Sequence, residues 1–379
     1  MNVPLRTGIV LLFLVVIAGA APMAVASEIG ETAAPTLDET DPADTEYPIT
    51  VTDATGTEVT LQERPERVTT TNPSAAQVMW ELGAQDQVVG LTEFAHYLDG
   101  ADTPESVSAT DQGVSIERVV GTNPDLVLAP NATSTETVEA LREAGLTVYH
   151  FSVATDFDDV ADKTLTIGQL TGNEAAAVET NKWVAANVEV IERSTADAES
   201  PRLLYPLLGG FAVGDETFIH EIIVTSGADN VADAEFSGYE VLSDETVLEL
   251  DPDVLLVTDQ TEGQIMNSEP YSLTAAGQAN QSVMLEVNYI NQAAPRSVVY
   301  STRNLTAQLH PDRYNESDFV SRQAIADGEY TLEDDDESSE TEPASSDDEG
   351  ETDVSAPGFG VVVTVVAVIG GGLMARHAN

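Results

Sequence analysis

A fourteen-residue pattern occurs twice in this chain, 128 positions apart. Ser115-Ile-Glu117-Arg-Val-Val-Gly-Thr-Asn-Pro124-Asp125-Leu-Val-Leu128 returns without a gap as Ser243-Asp-Glu245-Thr-Val-Leu-Glu-Leu-Asp-Pro252-Asp253-Val-Leu-Leu256. Each copy predicts a short helix with a Ser N-cap and a Glu in its first turn, then an Asn/Asp-Pro-Asp turn, then a buried apolar strand. A period this long excludes a solenoid, whose repeats are only 20–50 residues. It predicts two similar α/β lobes with a binding site between them.

The rest of the pattern fits that frame. Arg67 to Thr71, Val88 to Leu91, Asp125 to Ala129 and Thr147 to Phe151 read as strands. Between them lie helices around Ala75, Val78, Met79 and Leu82, with Ser74 as cap and Gly83 as end, and around Val138, Leu141 and Ala144, ending at Gly145. Trp80, beside the first stripe, reads as core packing. Alternating strands and helices on short loops imply mostly parallel sheets. From Asp156 to Arg193 the pattern is helical, with a break at Gly172-Asn173, and this stretch reads as a rigid connector between lobes. Arg202 to Leu208 restarts the scheme as a strand, Thr217 to Gly227 continues it as a helix, and Ser297 to Ser301 reads as a last strand.

Both termini look like targeting segments. Arg6, an apolar run from Ile9 to Ala18 and the small residues Ala24-Val25-Ala26 before Ser27 form a signal peptide over residues 1–26. An acidic linker follows over 27–47, and the N-terminal lobe is expected over 48–152, the inter-lobe helix over 153–198 and the C-terminal lobe over 199–312. Residues 313–355 read as a disordered acidic spacer. Pro357-Gly358-Phe359, an apolar run from Gly360 to Met374 and the basic Arg376 close the chain. This layout over 356–379 resembles the PGF-CTERM sorting signal of archaeal surface proteins, which implies lipid attachment after removal of the apolar tail. An uncleaved C-terminal anchor gives the same location, outside the cell and held at its surface.

Composition narrows the partners. The chain carries 66 acidic and 14 basic residues, a net charge of -52, and only two lysines, Lys163 and Lys182. Nucleic acid is excluded as a partner, because phosphate binding needs a basic stripe. A carboxylate-rich, lysine-poor surface resembles proteins of extreme halophiles, where molar salt shortens the screening length to about 3 Å. With no cysteine, an exported protein must rest on its core rather than on disulfides. The sequons at Asn131, Asn280, Asn304 and Asn315 are candidate glycosylation sites.

The series Arg64-Pro65-Glu66-Arg67-Val68, Pro73-Ser74, Leu82-Gly83-Ala84, Val88-Val89-Gly90, Pro124 to Val127 and Gly145 to Val148 is similar to one group of proteins. They are the solute-binding proteins of cobalamin, ferric-siderophore and haem ABC importers, of the type with a long inter-lobe helix. Thr217-Phe218-Ile219, Gly227 to Asn230, Pro252-Asp253-Val254 and Pro295-Arg296 extend the resemblance through the second lobe, over about residues 50–310. It implies two Rossmann-like lobes joined by a long α-helix, no enzymatic activity and no resident cofactor, in a monomeric receptor for cobalamin, a ferric siderophore or haem. It also implies that Glu117 and Glu245 dock onto arginines of the ABC permease. Each glutamate alone is explained as a helix N-terminal charge, worth about 0.3–1 kcal/mol, but that does not explain well why the same glutamate stands in both lobes.

Ligands of α/β sheets sit at the carboxyl ends of the strands. The loops there contain Asn72, Ser74, Phe94, Tyr97, Gln112, Phe211, Tyr239, Tyr289 and Arg296, and the resemblance aligns Phe94, Phe211, Tyr239, Tyr289 and Arg296 with ligand-side positions. The chain departs from cobalamin binders at Asp111 and Pro130, where those place tryptophans. A triply charged catecholate would need several basic residues to offset its desolvation. A corrinoid or ferric hydroxamate therefore fits better, while His96 or Tyr97 would have to supply the axial ligand of a haem. Direct metal binding is not expected, since His96, His150 and His220 lie in separate elements. An enzyme is disfavoured by the absence of a nucleophile elbow or zinc motif, and Gly209 to Gly214 lacks the Lys-Ser/Thr of a P-loop. A surface-anchored structural or adhesion protein would explain the tail but not the paired lobes.

Overall fold

A computed structural model describes residues 45–110 and 113–330. The signal peptide, most of the 27–47 linker, Gln112 and everything from 331 onward, including the PGF-CTERM tail, lie outside the described residues. The strands are β1 (Ile49–Thr52), β2 (Glu58–Leu61), β3 (Val68–Thr70), β4 (Val88–Leu91), β5 (Glu105–Ser106), β6 (Leu126–Ala129) and β7 (Val148–His150), then β8 (Arg202–Leu204), β9 (Phe211–Val213), β10 (Asp229–Asn230), β11 (Tyr239–Val241), β12 (Val254–Thr258) and β13 (Ser282–Leu285). The helices are α1 (Pro73–Glu81), α2 (Ile116–Gly121), α3 (Thr135–Glu143), α4 (Phe157–Thr171), α5 (Glu174–Thr195) and α6 (Phe218–Thr225), then α7 (Asp244–Leu250), α8 (Glu262–Ile265), α9 (Ala275–Ala279), α10 (Val287–Ile290), α11 (Pro295–Leu309) and α12 (Arg322–Ala326).

Two parallel sheets carry the lobes, in the orders β5-β4-β3-β6-β7 and β10-β8-β12-β13. The repeated segment supplies a central strand to each. Successive side chains of β6 enter opposite cores: Leu126 and Leu128 face α1, whereas Val127 and Ala129 face Val119, Val138 and Leu141. On β12, Leu256 and Leu255 divide in the same way. Burial on both faces is why these strands read as unbroken apolar runs.

The two copies also share an anchoring device. Ser115 and Ser243 cap α2 and α7 by accepting the N–H of Arg118 and Thr246. Each helix then turns through a left-handed residue, Asn123 at φ 47° and Asp251 at φ 39°. Asn and Asp are the side chains that tolerate this region best. Arg67 donates to the Thr122 and Asn123 carbonyls and Arg202 to that of Leu250, so an arginine at the first strand of each parallel sheet closes the helix end. Asp125 and Asp253 accept the backbone N–H of those same arginines.

The connector is a helical hairpin rather than one rod. Gly172, at φ 67°, ends α4, and α5 runs back along it. Gly168 lets them cross closely: a Cβ there would stand 2.6 Å from the Ala177 Cβ. Both helices reach both lobes, since Ile167, Leu170 and Ala177 enter the N-terminal core while Val160, Trp183 and Val184 enter the C-terminal one. The 22 residues of α5 span about 33 Å at ~1.5 Å per residue.

Three sequence expectations are corrected. Ser297 to Ser301 is not a strand but part of α11: Pro295 starts the helix, and Val298, Thr302, Leu305 and Thr306 are buried at helical spacing. The cap of α1 is Asn72, not Ser74; the Asn72 side chain accepts the Ser74 N–H at 2.9 Å. Residues 313–330, expected as the head of the spacer, are folded, with Tyr314 and Val320 buried and Ser321 capping α12.

Candidate functional site

A cleft of about 700 Å³ opens between the lobes at the carboxyl ends of the strands. Its N-lobe wall comes from the loops after β3, β4 and β6, and its C-lobe wall from Gln260 after β12 and from the α10 region. The walls differ in character. On the N-lobe side most polar groups are already satisfied: the Thr71 and Thr133 hydroxyls bond each other at 2.7 Å, and the Ser134 hydroxyl caps Thr137. Phe94, 45% exposed, adds an apolar face. On the C-lobe side Gln260, Asn288, Asn291 and Gln292 present carboxamides. Glu93 is the one charged side chain among the described lining residues.

Of the residues expected to bind ligand, the cleft gathers Asn72, Phe94 and Tyr97. Tyr97 meets Tyr289 edge-on at 5.9 Å between ring centroids, and Tyr289 in turn meets Tyr300 at 5.3 Å, so an aromatic row crosses from one lobe to the other. Burial pushes the Tyr97 phenol up to about 12, and the Gln77 amide donates to its oxygen at 2.8 Å. Phe211 and Tyr239 lie instead on the antiparallel β9–β11 ribbon, 43% and 44% exposed beside Leu208 and Val241. Gln112 is outside the described residues.

Ser74 and Arg296 have other partners. The Ser74 hydroxyl accepts from Lys163 Nζ at 2.7 Å, and the same ammonium donates to the Ala293 carbonyl at 2.9 Å. Arg296 forms an ion pair with Glu81, whose side chain is only 3% exposed. Between these two contacts the buried Gln77 accepts the Ser297 N–H at 3.1 Å. The sequence reading missed this inter-lobe contact, and it missed Gln260 in the cleft. Gln260 was findable, because it stands 128 positions after Ala132, which also lines the cleft. The two loops correspond in position, four residues past Leu128 and Leu256 where the repeated pattern ends, although their own residues differ.

Glu117 and Glu245 are both exposed at the first turns of α2 and α7, and neither enters an ion pair among the described residues. One turn along, Val120 and Leu248 are 42% and 41% exposed. The four sequon asparagines are exposed as well; Asn131 lies beside the cleft residues Ala132 and Thr133, and Asn280 is a left-handed helix cap. His96, His150 and His220 are not brought together, and among the described residues no group of three or more potential ligands could hold a metal.

Comparison with known proteins agrees with this architecture. The profile of the periplasmic binding protein family matches residues 68–287. The cobalamin-binding protein of Halobacterium salinarum is 42% identical over 264 residues, 66% of this chain and 72% of that protein. The vitamin B12-binding protein of Vibrio vulnificus is 23% identical over 64% of this chain and 89% of its own length. Among solved structures, the apo form of the periplasmic haem-binding protein RhuT from Roseiflexus sp. RS-1 superposes with a TM-score of 0.58 at 23% identity, covering 64% of this chain and 98% of that one, and so shares the fold. A two-lobed α/β architecture, a cleft at the strand ends and a profile spanning both lobes place this chain in the periplasmic binding protein family.

Proposed function

We propose that the chain is the solute receptor of an ABC importer, and that its ligand is cobalamin or a related large chelate of low net charge. The observation that carries this reading is the cleft lining, with four carboxamides on one wall, Phe94 and Tyr97 on the other and no cation among the described lining residues. Carboxamides complement a corrinoid rim through paired donors and acceptors. A haem or catecholate would bring carboxylates or a triple charge to a wall that offers Glu93 instead of arginine. A haem would also need an axial ligand, and the Tyr97 phenol, held protonated and bonded to Gln77, is a poor one. The 42% identical cobalamin-binding relative supports the same choice.

Loaded receptor would dock on its permease through Glu117 and Glu245, each backed one turn along by an exposed apolar side chain, Val120 or Leu248. Export by residues 1–26 and anchoring through residues 356–379 would hold the monomeric receptor outside the membrane. Titration calorimetry of the full chain in molar salt against cobalamin, a ferric hydroxamate and haem tests the ligand. Tight cobalamin binding with haem at least a hundredfold weaker is expected; haem as the tightest ligand would overturn the assignment.

A further inference from the structure

Helix α1 has a second stripe besides its apolar one. Ser74, Gln77 and Glu81 fall at i, i+3 and i+7, a spacing that places them on one face. Every member is polar, every member's side chain is buried, and every member is bonded outside its own lobe. Ser74 meets Lys163 of the connector, Gln77 meets Ser297 of α11, and Glu81 meets Arg296 of α11 and Arg322 of α12. The stripe runs from Asn72 and Pro73 in the cleft to the C-terminal segment at its other end.

That segment is fastened independently. The Val320 backbone is held at both of its groups by Asn187 of α5, at 3.0 and 3.1 Å, and the Trp183 indole N–H donates to the same Val320 carbonyl at 3.0 Å. Arg322 then stacks on the Trp183 ring, 4.2 Å from its centroid, and donates to the Thr180 hydroxyl at 3.0 Å while pairing with Glu81. Trp183 and Thr180 fix the guanidinium before it reaches Glu81. Separating the lobes along this line would strand a buried carboxylate, which is far costlier than breaking a surface ion pair. Opening would therefore be confined to rotation about the stripe, with the cleft mouth as the moving end.

We propose that Ser74, Gln77 and Glu81 form the hinge seam of the receptor, and that Arg322 is a positioning residue whose hold on Glu81 limits how far the cleft opens. The ligand arm of its test rests on the cobalamin reading; the distance arm does not.

The chain has no cysteine, so spin labels can be placed through Glu139→Cys on α3 and Glu249→Cys on α7, both exposed. In this doubly labelled full chain, Arg322→Ala is expected to broaden and lengthen the inter-lobe distance distribution. It is also expected to release cobalamin about tenfold faster, since tenfold corresponds to about 1.4 kcal/mol. Arg322→Met keeps the apolar stem on Trp183 and removes the charge, so it should show the same two effects with a smaller loss of thermal stability. Arg322→Lys should restore both in part. Lower melting temperatures with an unchanged distance distribution in all three variants would reduce Arg322 to a stabilising contact and overturn the proposal. If cobalamin does not bind the parent chain, the ligand assignment falls and the distances still decide the hinge.

Discussion

Lys163 is buried, and its ammonium reaches two neutral oxygens, the Ser74 hydroxyl and the Ala293 carbonyl. Burial pulls it down from 10.5 to about 7. Two acceptors suit the two N–H groups of the neutral amine. A lysine whose folded pKa is lowered binds fewer protons in the native than in the unfolded state. Its contribution to stability is complete above about 10.5 and is lost as pH falls towards 7. Between pH 7 and pH 9 the native state should therefore gain about 2 kcal/mol, read from denaturant midpoints, and Lys163→Met should flatten that slope. An equal slope in both proteins would show that the amine stays charged. The sequence marked Ser74 as a cleft residue and noted Lys163 only as one of two lysines. Neither buried contact was legible, for one reason: Ser74 is 89 positions from Lys163, and Glu81 is 215 from Arg296. The Ser caps of the repeat were legible because their partners lie three residues away.

Elements with a strong local signature came through, and those shaped by distant packing did not. The Val298-Val299 pair looks like a strand by β-propensity, yet Pro295 and the spacing of buried residues make it helix α11. The segment at 313–330 was hidden by an acidic average, although Asn315 with Asp318 forms a capping box and Ser321 caps the next helix. The break at Gly172 was readable, but its consequence, a hairpin that carries both lobes, was not. The hairpin depends on Gly168 facing Ala177. Alanine is the better helix former by about 1 kcal/mol. Gly168→Ala should nonetheless destabilise the protein by about 1–3 kcal/mol through overpacking, because its Cβ would sit 2.6 Å from that of Ala177. Thermal unfolding checks this, and adding Ala177→Gly should recover most of the loss. A Gly168→Ala protein as stable as its parent would mean that the helices shift apart without cost.

At the scale of the molecule, charge sets two opposed demands. A net charge of -52 repels itself in dilute buffer, and the screening length shrinks from about 10 Å at 0.1 M salt to about 3 Å at 1 M. Thermal midpoints should therefore rise with sodium chloride over that range; a flat response would mean that the carboxylates are already neutralised in the fold. The same salt weakens the Glu117 and Glu245 contacts on which permease docking would depend. Apolar burial is strengthened by excluded salts, and Val120 and Leu248 beside the two glutamates can supply it. Reconstituted with its permease, the Glu117→Ala, Glu245→Ala protein should bind cobalamin as the parent does and lose uptake at low salt. Val120→Ser with Leu248→Ser should lose uptake mainly at molar salt, where the ion pairs are screened. Uptake that is insensitive to either pair would leave both glutamates as charges complementing a helix N-terminus. In that case the repeat that builds the two sheets would have no role at the membrane.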